Sequence, residues 1–316
     1  MENLAKIIEE SKEFKMLKHN KEAGFVSHAY LFVCDDGDYL NQFALCFAAV
    51  LIGNKQIASG ANHPDLNVVS SEKTIGVKDV EDISSDVYVL PYSADYKVYI
   101  IYDAANLTEE AQNKLLKTIE EPPKSSLILL LAKTENNILP TIVSRVNKIN
   151  LTKIDSSVLF RLLVQEGETE ANASIYASIS GGSIAKAKEL INNKDYLNLY
   201  SNVLAMLEKV NSSKDILEYA AKFNSPKISI NDFFSLTIGV FRDIMLVKAN
   251  EENLVCFKQD LEKLRRIAGG FSLEAACLAQ KQAFKAEYDL AMNANPTCVL
   301  DEFLLKMVEV KVRCKK

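Results

Sequence analysis

The residues best suited to chemistry fall in four short segments. After the strand-forming run Ala29–Val33 comes Cys34-Asp35-Asp36-Gly37-Asp38-Tyr39-Leu40-Asn41, where a phosphate-binding loop would read G-x-x-x-x-G-K-[ST]. Such a loop works through backbone amides that cradle phosphate, an ammonium that reaches the outer oxygens and a hydroxyl that holds magnesium. Gly37 is the one glycine of the segment. By register Leu40 stands at the lysine position, Asn41 at the hydroxyl position, and Cys34 and Tyr39 at glycine positions. Three aspartates crowd the place of a triphosphate, and each like-charge pair about 5 Å apart costs about 3 kcal/mol at an effective dielectric of about 20. No ATP binding by this loop is expected.

The second segment is Asp103-Ala104-Ala105-Asn106, at the end of an apolar run. Its aspartate could hold magnesium beside a working phosphate loop; without one, a capping or turn role is expected. The third, Ser144-Arg145-Val146, carries a guanidinium that is always charged and can grip phosphate oxygens bidentately. The competing reading is an arginine that caps a helix C-terminus or pairs with a carboxylate. The fourth, Thr134, follows another apolar run and is read as a cap before Glu135-Asn136-Asn137.

The elements that must position these residues alternate. Strands are expected at Ala29–Val33, Leu66–Val69, Lys97–Tyr102, Leu127–Leu131 and Asn147–Leu151, with helices at about 39–52, 77–87, 109–121 and 136–143. Strand and helix in alternation point to an α/β fold, a mostly parallel sheet with helices on both faces. The run Ser126–Leu131 lacks polar alternation, as a central strand buried on both sides would. In the helix at 109–121, Thr108 supplies a cap, Glu109 and Glu110 favour the positive dipole end, and Ala111, Leu115, Leu116 and Ile119 form one stripe. Pro122 stops it. Beyond Lys153 the pattern is helical: Ser157–Glu166, Ala171–Ser180 and Ile184–Asn192 around Gly181-Gly182, then 195–210, 213–223, 231–250, 252–268, 272–293 and 297–312. Ser225-Pro226 and Asn295-Pro296 punctuate them.

Composition narrows the class. The 316 residues suggest roughly two domains, or three small ones. At 48% hydrophobic and 25% charged the chain is neither disordered nor fibrous. Its longest apolar runs, Ser126–Ala132 and Phe43–Ile52, fall short of the roughly 18 residues of a membrane span. The opening MENLAKIIEESKEF is acidic and amphipathic, unlike a secretory signal, so a cytoplasmic location is expected. Cysteines 34, 46, 256, 277, 298 and 314 are scattered without a CxxC, which argues against disulfides and a four-cysteine metal module. Residues 1–150 carry 15 Lys+Arg against 21 Asp+Glu, and residues 151–316 carry 22 against 21. With a pI near 5.5, the chain is a poor candidate for gripping DNA alone. Lys306, Lys311, Arg313, Lys315 and Lys316 form a basic end, which is most simply a solvated helix terminus.

SHAYLF (27–32), HPDL (63–66), KVYIIYDAANLTEEAQNKLLKTIEEPP (97–123) and LPTIVSR (139–145), in this order and spacing, resemble the delta-prime family of bacterial DNA polymerase III clamp-loader subunits, within the AAA+ superfamily. The likeness is dense over about 120 residues. Gly181-Gly182-Ser183 with Ala185 and Ala187 resembles the start of the family's last lid helix; beyond 195 only helical character is shared.

The resemblance implies an AAA+ module with a degenerate site over 1–152, a helical lid over 153–195 and a helical oligomerisation collar over 196–316. It implies a non-catalytic ring member of a hetero-pentamer with delta and tau/gamma subunits, contacting the sliding clamp and primer-template DNA only through the complex. In the family, Ser144-Arg145 would project an arginine finger in trans to the γ-phosphate held by a neighbour; Val146 replaces the family's cysteine. An active relative would carry a glutamate at Ala104, and Thr134 stands where such a relative has its phosphate sensor. Many relatives hold zinc on four cysteines before HPDL; Cys46 and His63 are too few ligands, so no metal and no cofactor are expected. Two alternatives remain. A motor subunit of the tau/gamma type would need Lys then Ser or Thr at 40–41. An orphan pseudo-ATPase scaffold of an unrelated complex would have no use for LPTIVSR.

Overall fold

The computed structural model describes residues 2–70, 74–193, 195–210, 212–225 and 228–313. Pro226, Cys314, Lys315 and Lys316 lie outside the described residues. The chain divides into two compact units, Met1–Ile154 with Ser183–Ala185, and Asp155–Gly182 with Lys186–Lys316.

In the first unit the elements run α1 (Glu2–Glu10), α2 (Lys12–Glu22), β1 (Ala29–Val33), α3 (Gly37–Ile52), β2 (Leu66–Val69), α4 (Val77–Asp86), β3 (Lys97–Ile101), α5 (Glu109–Glu120), β4 (Ser126–Ala132), α6 (Pro140–Val143) and β5 (Asn147–Asn150). The five strands pair in parallel in the order β2-β3-β4-β1-β5, with Ala29 opposite Ile128 and Tyr99 also opposite Ile128. Every residue of β4 is buried, as its unbroken apolar run requires. Alternation along β1 divides the core. Tyr30 and Phe32 meet Phe43 and Phe47 of α3 edge to face, and Phe14 of α2 closes on Phe43 at 5.6 Å. Ala29 and Leu31 belong to the opposite cluster, with Val80 and Ile83 of α4, Leu115 and Ile119 of α5, Ile142 and Val146.

The helix expected at 136–143 is only Pro140–Val143. A residue before proline avoids helical geometry, and Leu139 is accordingly extended, at φ −58° and ψ 132°. At the N-terminus the acidic amphipathic stretch is two helices, broken at Ser11, whose hydroxyl accepts the Phe14 amide.

The second unit is helical among its described residues: α7 (Ser156–Gln165), α8 (Glu170–Ser180), α9 (Ile184–Asn192, whose first two residues cluster with the first unit), α10 (Tyr196–Lys209), α11 (Ser213–Phe223), α12 (Ile230–Lys248), α13 (Leu261–Gly269), α14 (Leu273–Ala291) and α15 (Pro296–Arg313). Gly181 and Gly182 both adopt positive φ, 56° and 84°, which glycine tolerates without steric cost; this makes the turn from α8 into α9. Phe233, Phe234 and Phe241 of α12 are fully buried. Ala275, Ala276, Ala279, Ala283 and Ala286 are the buried residues of α14.

The single helix expected over 252–268 is not one helix. It is two 3-10 turns, Glu252–Leu254 and Lys258–Asp260, followed by α13. The buried Asp243 carboxylate accepts the amides of Cys256 (2.9 Å) and Phe257 (2.8 Å). Those amides are thereby withdrawn from helical bonding, and Phe257 is held in the core.

Candidate functional site

The loop after β1 turns into α3 without the geometry of a glycine loop. Gly37 has no positive φ, and a Cβ on it would meet only Lys133 Cε, at 3.6 Å, so nothing in the backbone requires its glycine. Asp36 is the N-cap of α3, its Oδ1 accepting Tyr39 N at 3.2 Å, as a short carboxylate does for the orphan amides of a first turn. Asp36 is also fully buried, and it accepts two more amides, Ile184 N and Ala185 N (3.3 Å), at the start of α9.

The neighbours of Asp36 are arranged differently. Asp35 points outward and pairs with Lys153 at 2.7 Å. Asp38 is partly exposed, while Leu40 is buried and Asn41 exposed. Neither Leu40 nor Asn41 has an ammonium or hydroxyl to offer a phosphate. Tyr39 is buried and its phenol is pushed up to about 12 by burial. Burial also raises the Cys34 thiol, which disfavours the reactive thiolate. The Cys34 amide bonds Ala132 O at 3.1 Å, tying the loop to the end of β4.

Asp103 is exposed and left-handed, at φ 46°, where non-glycine residues are uncommon. Its carbonyl accepts Asn106 N at 2.7 Å while its side chain caps nothing, so it makes a turn. Ala104 is buried beneath it. Thr134 lies exposed in the loop after β4, six residues before Pro140, too far upstream to cap α6. The capping role expected of it is not realised, because the helix starts late.

Arg145 has its own surroundings at the end of α6. Its Nε is 2.8 Å from Glu120 Oε1, and an Nη donates to Thr141 O at 3.1 Å and Ser144 Oγ at 3.3 Å. Ser144 in turn donates to Thr141 O at 3.0 Å. The arginine side chain stays 43% exposed, so its guanidinium is accessible from solvent. Val146 is buried in the sheet cluster with Ile142, a position that suits an apolar side chain.

Two anchoring residues escaped the sequence reading. Gln112, buried on α5, donates to Leu107 O (3.2 Å) and Asn137 O (2.9 Å) and accepts Leu139 N (2.8 Å), so it fixes the entry to α6 and hence the root of Arg145. Asp65 of HPDL is buried and accepts the amides of Tyr92, Ser93 (2.9 Å) and Ala94 (3.0 Å). Burial raises its carboxyl, but these donors outweigh burial and hold it below its usual range. Both residues sit inside the quoted motifs, which was the available signal. His63 Nδ1 accepts Asp65 N at 3.1 Å, a turn histidine, and Cys46 is buried in α3 beside Gln42.

This sheet order, with the loop between β1 and α3 and the arginine just after α6, makes the first unit an α/β domain built on a five-stranded parallel sheet. Residues 9–155 match the family model described as DNA polymerase III, delta subunit. DNA polymerase III subunit delta' of Bacillus subtilis is 23% identical over 314 residues, covering 93% of this chain and 95% of that protein. Subunit delta' of Haemophilus influenzae is 31% identical over 163 residues, 47% of this chain and 50% of its own. The tau subunit of B. subtilis is 32% identical over 190 residues, 52% of this chain and 33% of tau. The chain is thus similar, along most of its length, to a delta' subunit of DNA polymerase III, and over about half of it to further delta' and tau subunits. A gamma subunit-related protein of Thermotoga maritima aligns over 98% of this chain and 99% of its own at 20% identity, with a TM-score of 0.41, too loose to add to what the sheet order says.

Proposed function

We propose that this chain is a non-catalytic, delta-prime-like member of a clamp loader, which lends Arg145 in trans to a neighbouring ATPase subunit while sliding clamps are loaded on primed DNA during replication. The observation that carries the non-catalytic half is the segment after β1: the lysine and hydroxyl positions hold Leu40 and Asn41, and the buried Asp36 carboxylate takes the first-turn amide of Tyr39. A motor of the tau/gamma type is disfavoured on the same ground. The other half rests on an exposed arginine at the end of LPTIVSR, on a segment anchored by Gln112. Its pair with Glu120 is a surface pair, of the sort worth about 1 kcal/mol or less, which a neighbour's γ-phosphate can outcompete.

In this reading the partners are delta and tau/gamma subunits in a hetero-pentamer, with the clamp and primer-template DNA reached through the complex. Residues 1–152 form the AAA+ module, 153–195 the lid and 196–316 the collar. No described helix is long and apolar enough to cross a membrane, which agrees with a replication protein of the cytoplasm.

The test is DNA-stimulated ATP turnover of the reconstituted loader with wild-type chain or Arg145→Ala, after equal assembly is verified. Arginine fingers supply about 10³–10⁵ in rate in GTPases; one site among several in a ring loses a smaller factor. A fall in turnover with assembly intact supports the finger. Unchanged turnover makes Arg145 structural, and failure of the wild-type chain to join the ring favours the orphan pseudo-ATPase scaffold.

A further inference from the structure

Asp36 stands apart from the other acids of its loop. Asp35, one residue away, faces solvent and pairs with Lys153 on the surface. Asp36 has no exposed surface, yet it is a carboxylate placed where two helices begin. Its three amide donors come from the first turn of α3 (Tyr39) and the first turn of α9 (Ile184 and Ala185), the latter 148 and 149 residues further along the chain. Helix N-termini present unpaired amides and a positive dipole end, and for both reasons they bind anions. A phosphate loop exploits this by presenting its amides to a ligand. Here the chain presents an anion of its own to the same kind of donors.

We propose that Asp36 is a built-in substitute for a nucleotide phosphate: its carboxylate joins the loop after β1 to the first turn of α9 without any ligand. The inference rests on reading residues 34–41 as a former phosphate loop, but not on membership of a ring. It goes beyond the loss of ATP binding, because it assigns a positive task to one of the substituted residues. A loop that had merely decayed would carry exposed acids like Asp35. This one carries a buried acid that satisfies amides in two distant segments, so the contact between them does not depend on nucleotide. Substitution at Asp36 therefore has a signature that substitution at Asp35 lacks, in the amides of Ile184 and Ala185.

The experiment is site-resolved amide hydrogen exchange on the isolated full-length chain, comparing wild type, Asp36→Ala, Asp36→Asn and Asp35→Ala, with magnesium-ATP added to the wild type as a further arm. Hydrogen bonds to a charged acceptor are strong enough that losing them should speed exchange at Ile184 and Ala185 by about tenfold or more. The expected result is that increase in Asp36→Ala, a smaller one in Asp36→Asn, which keeps a neutral acceptor oxygen, and none in Asp35→Ala. Magnesium-ATP should leave the wild-type rates unchanged. If Asp36→Ala fails to fold, the Asp36→Asn comparison alone decides. Wild-type protection of Ile184 and Ala185 in the Asp36 variants would overturn the proposal, as would protection of the wild type that rises on adding magnesium-ATP. Because no partner subunit is present, either result is independent of the Arg145 test.

Discussion

Arg145 and Glu120 are both roughly half exposed, so water and salt screen their 2.8 Å contact. Exposed pairs contribute about 0.2–1 kcal/mol, so Glu120→Gln should shift the urea midpoint very little and leave loader turnover at the wild-type level. Arg145→Ala should lower turnover. A Glu120 variant as damaging as the Arg145 variant would show the pair itself to be what matters. Gln112 is the opposite case. Replacing it with leucine removes three hydrogen bonds, of which the one to the buried Leu107 carbonyl leaves a buried orphan while those to Asn137 O and Leu139 N lie where water can reach, and a buried orphan costs about 1–3 kcal/mol. Equilibrium unfolding in urea should show a loss of about 1–3 kcal/mol, well beyond the Glu120 effect.

Among the helices, α12 and α14 test how closely elements pack. The buried residues of α14 are five alanines. Ala279→Leu should cost about 1–3 kcal/mol by overpacking, measured as a fall in urea midpoint at unchanged slope. On α10, Tyr196 is fully buried, and its hydroxyl is the one buried side-chain polar atom without a hydrogen-bond partner among the described residues. Burying a hydroxyl unpaired is unfavourable, so Tyr196→Phe should be neutral or stabilising in the same assay. A clear destabilisation would reveal a partner for that hydroxyl.

Over the whole molecule, four carboxyls should respond to acid in opposite senses. Asp65 and Asp86 in the first unit are raised by burial, but their donors win: the amides of Tyr92, Ser93 and Ala94 around Asp65, Lys97 and Tyr99 around Asp86. Both carboxyls therefore lie below their ordinary value of 3.8. A lowered carboxyl contributes stability that is complete above the unfolded value and is lost as pH falls through the folded one. In the second unit, burial holds Asp232 and Asp243 above 3.8 in spite of their hydrogen bonds. Their protonation favours the folded form, so acidification adds stability there until the unfolded carboxyls also protonate. Glu252 and Glu302 of the second unit are lowered as Asp65 is, by Arg265 and by Lys285 with Lys306, so the contrast belongs to the four aspartates and is read from urea midpoints of single-site variants between pH 5 and pH 3. Asp65→Asn should flatten the acid dependence of the first unit alone.

How much of this could be read without coordinates depends on how far apart the interacting residues lie. The strand-forming run of β1, the unbroken apolar run of β4, the Thr108 cap and the stop at Pro122 are local, and each appears where its residue types put it. Chemistry missing from positions 40 and 41 is equally visible, because a side chain that is absent needs no partner to be noticed. Late entry into α6 was legible from Pro140, which keeps Leu139 out of helical geometry, but the breaks over 252–260 were not. They depend on Asp243 reaching Cys256 and Phe257, contacts that periodicity does not register. Asp36 shows the division most clearly. Its residue type and sequence position spoke only of repulsion toward phosphate, and that reading followed from charge alone. Its actual role depends on two amides about 150 residues away, brought to it by folding, since a buried carboxylate persists only where the tertiary structure supplies donors for it.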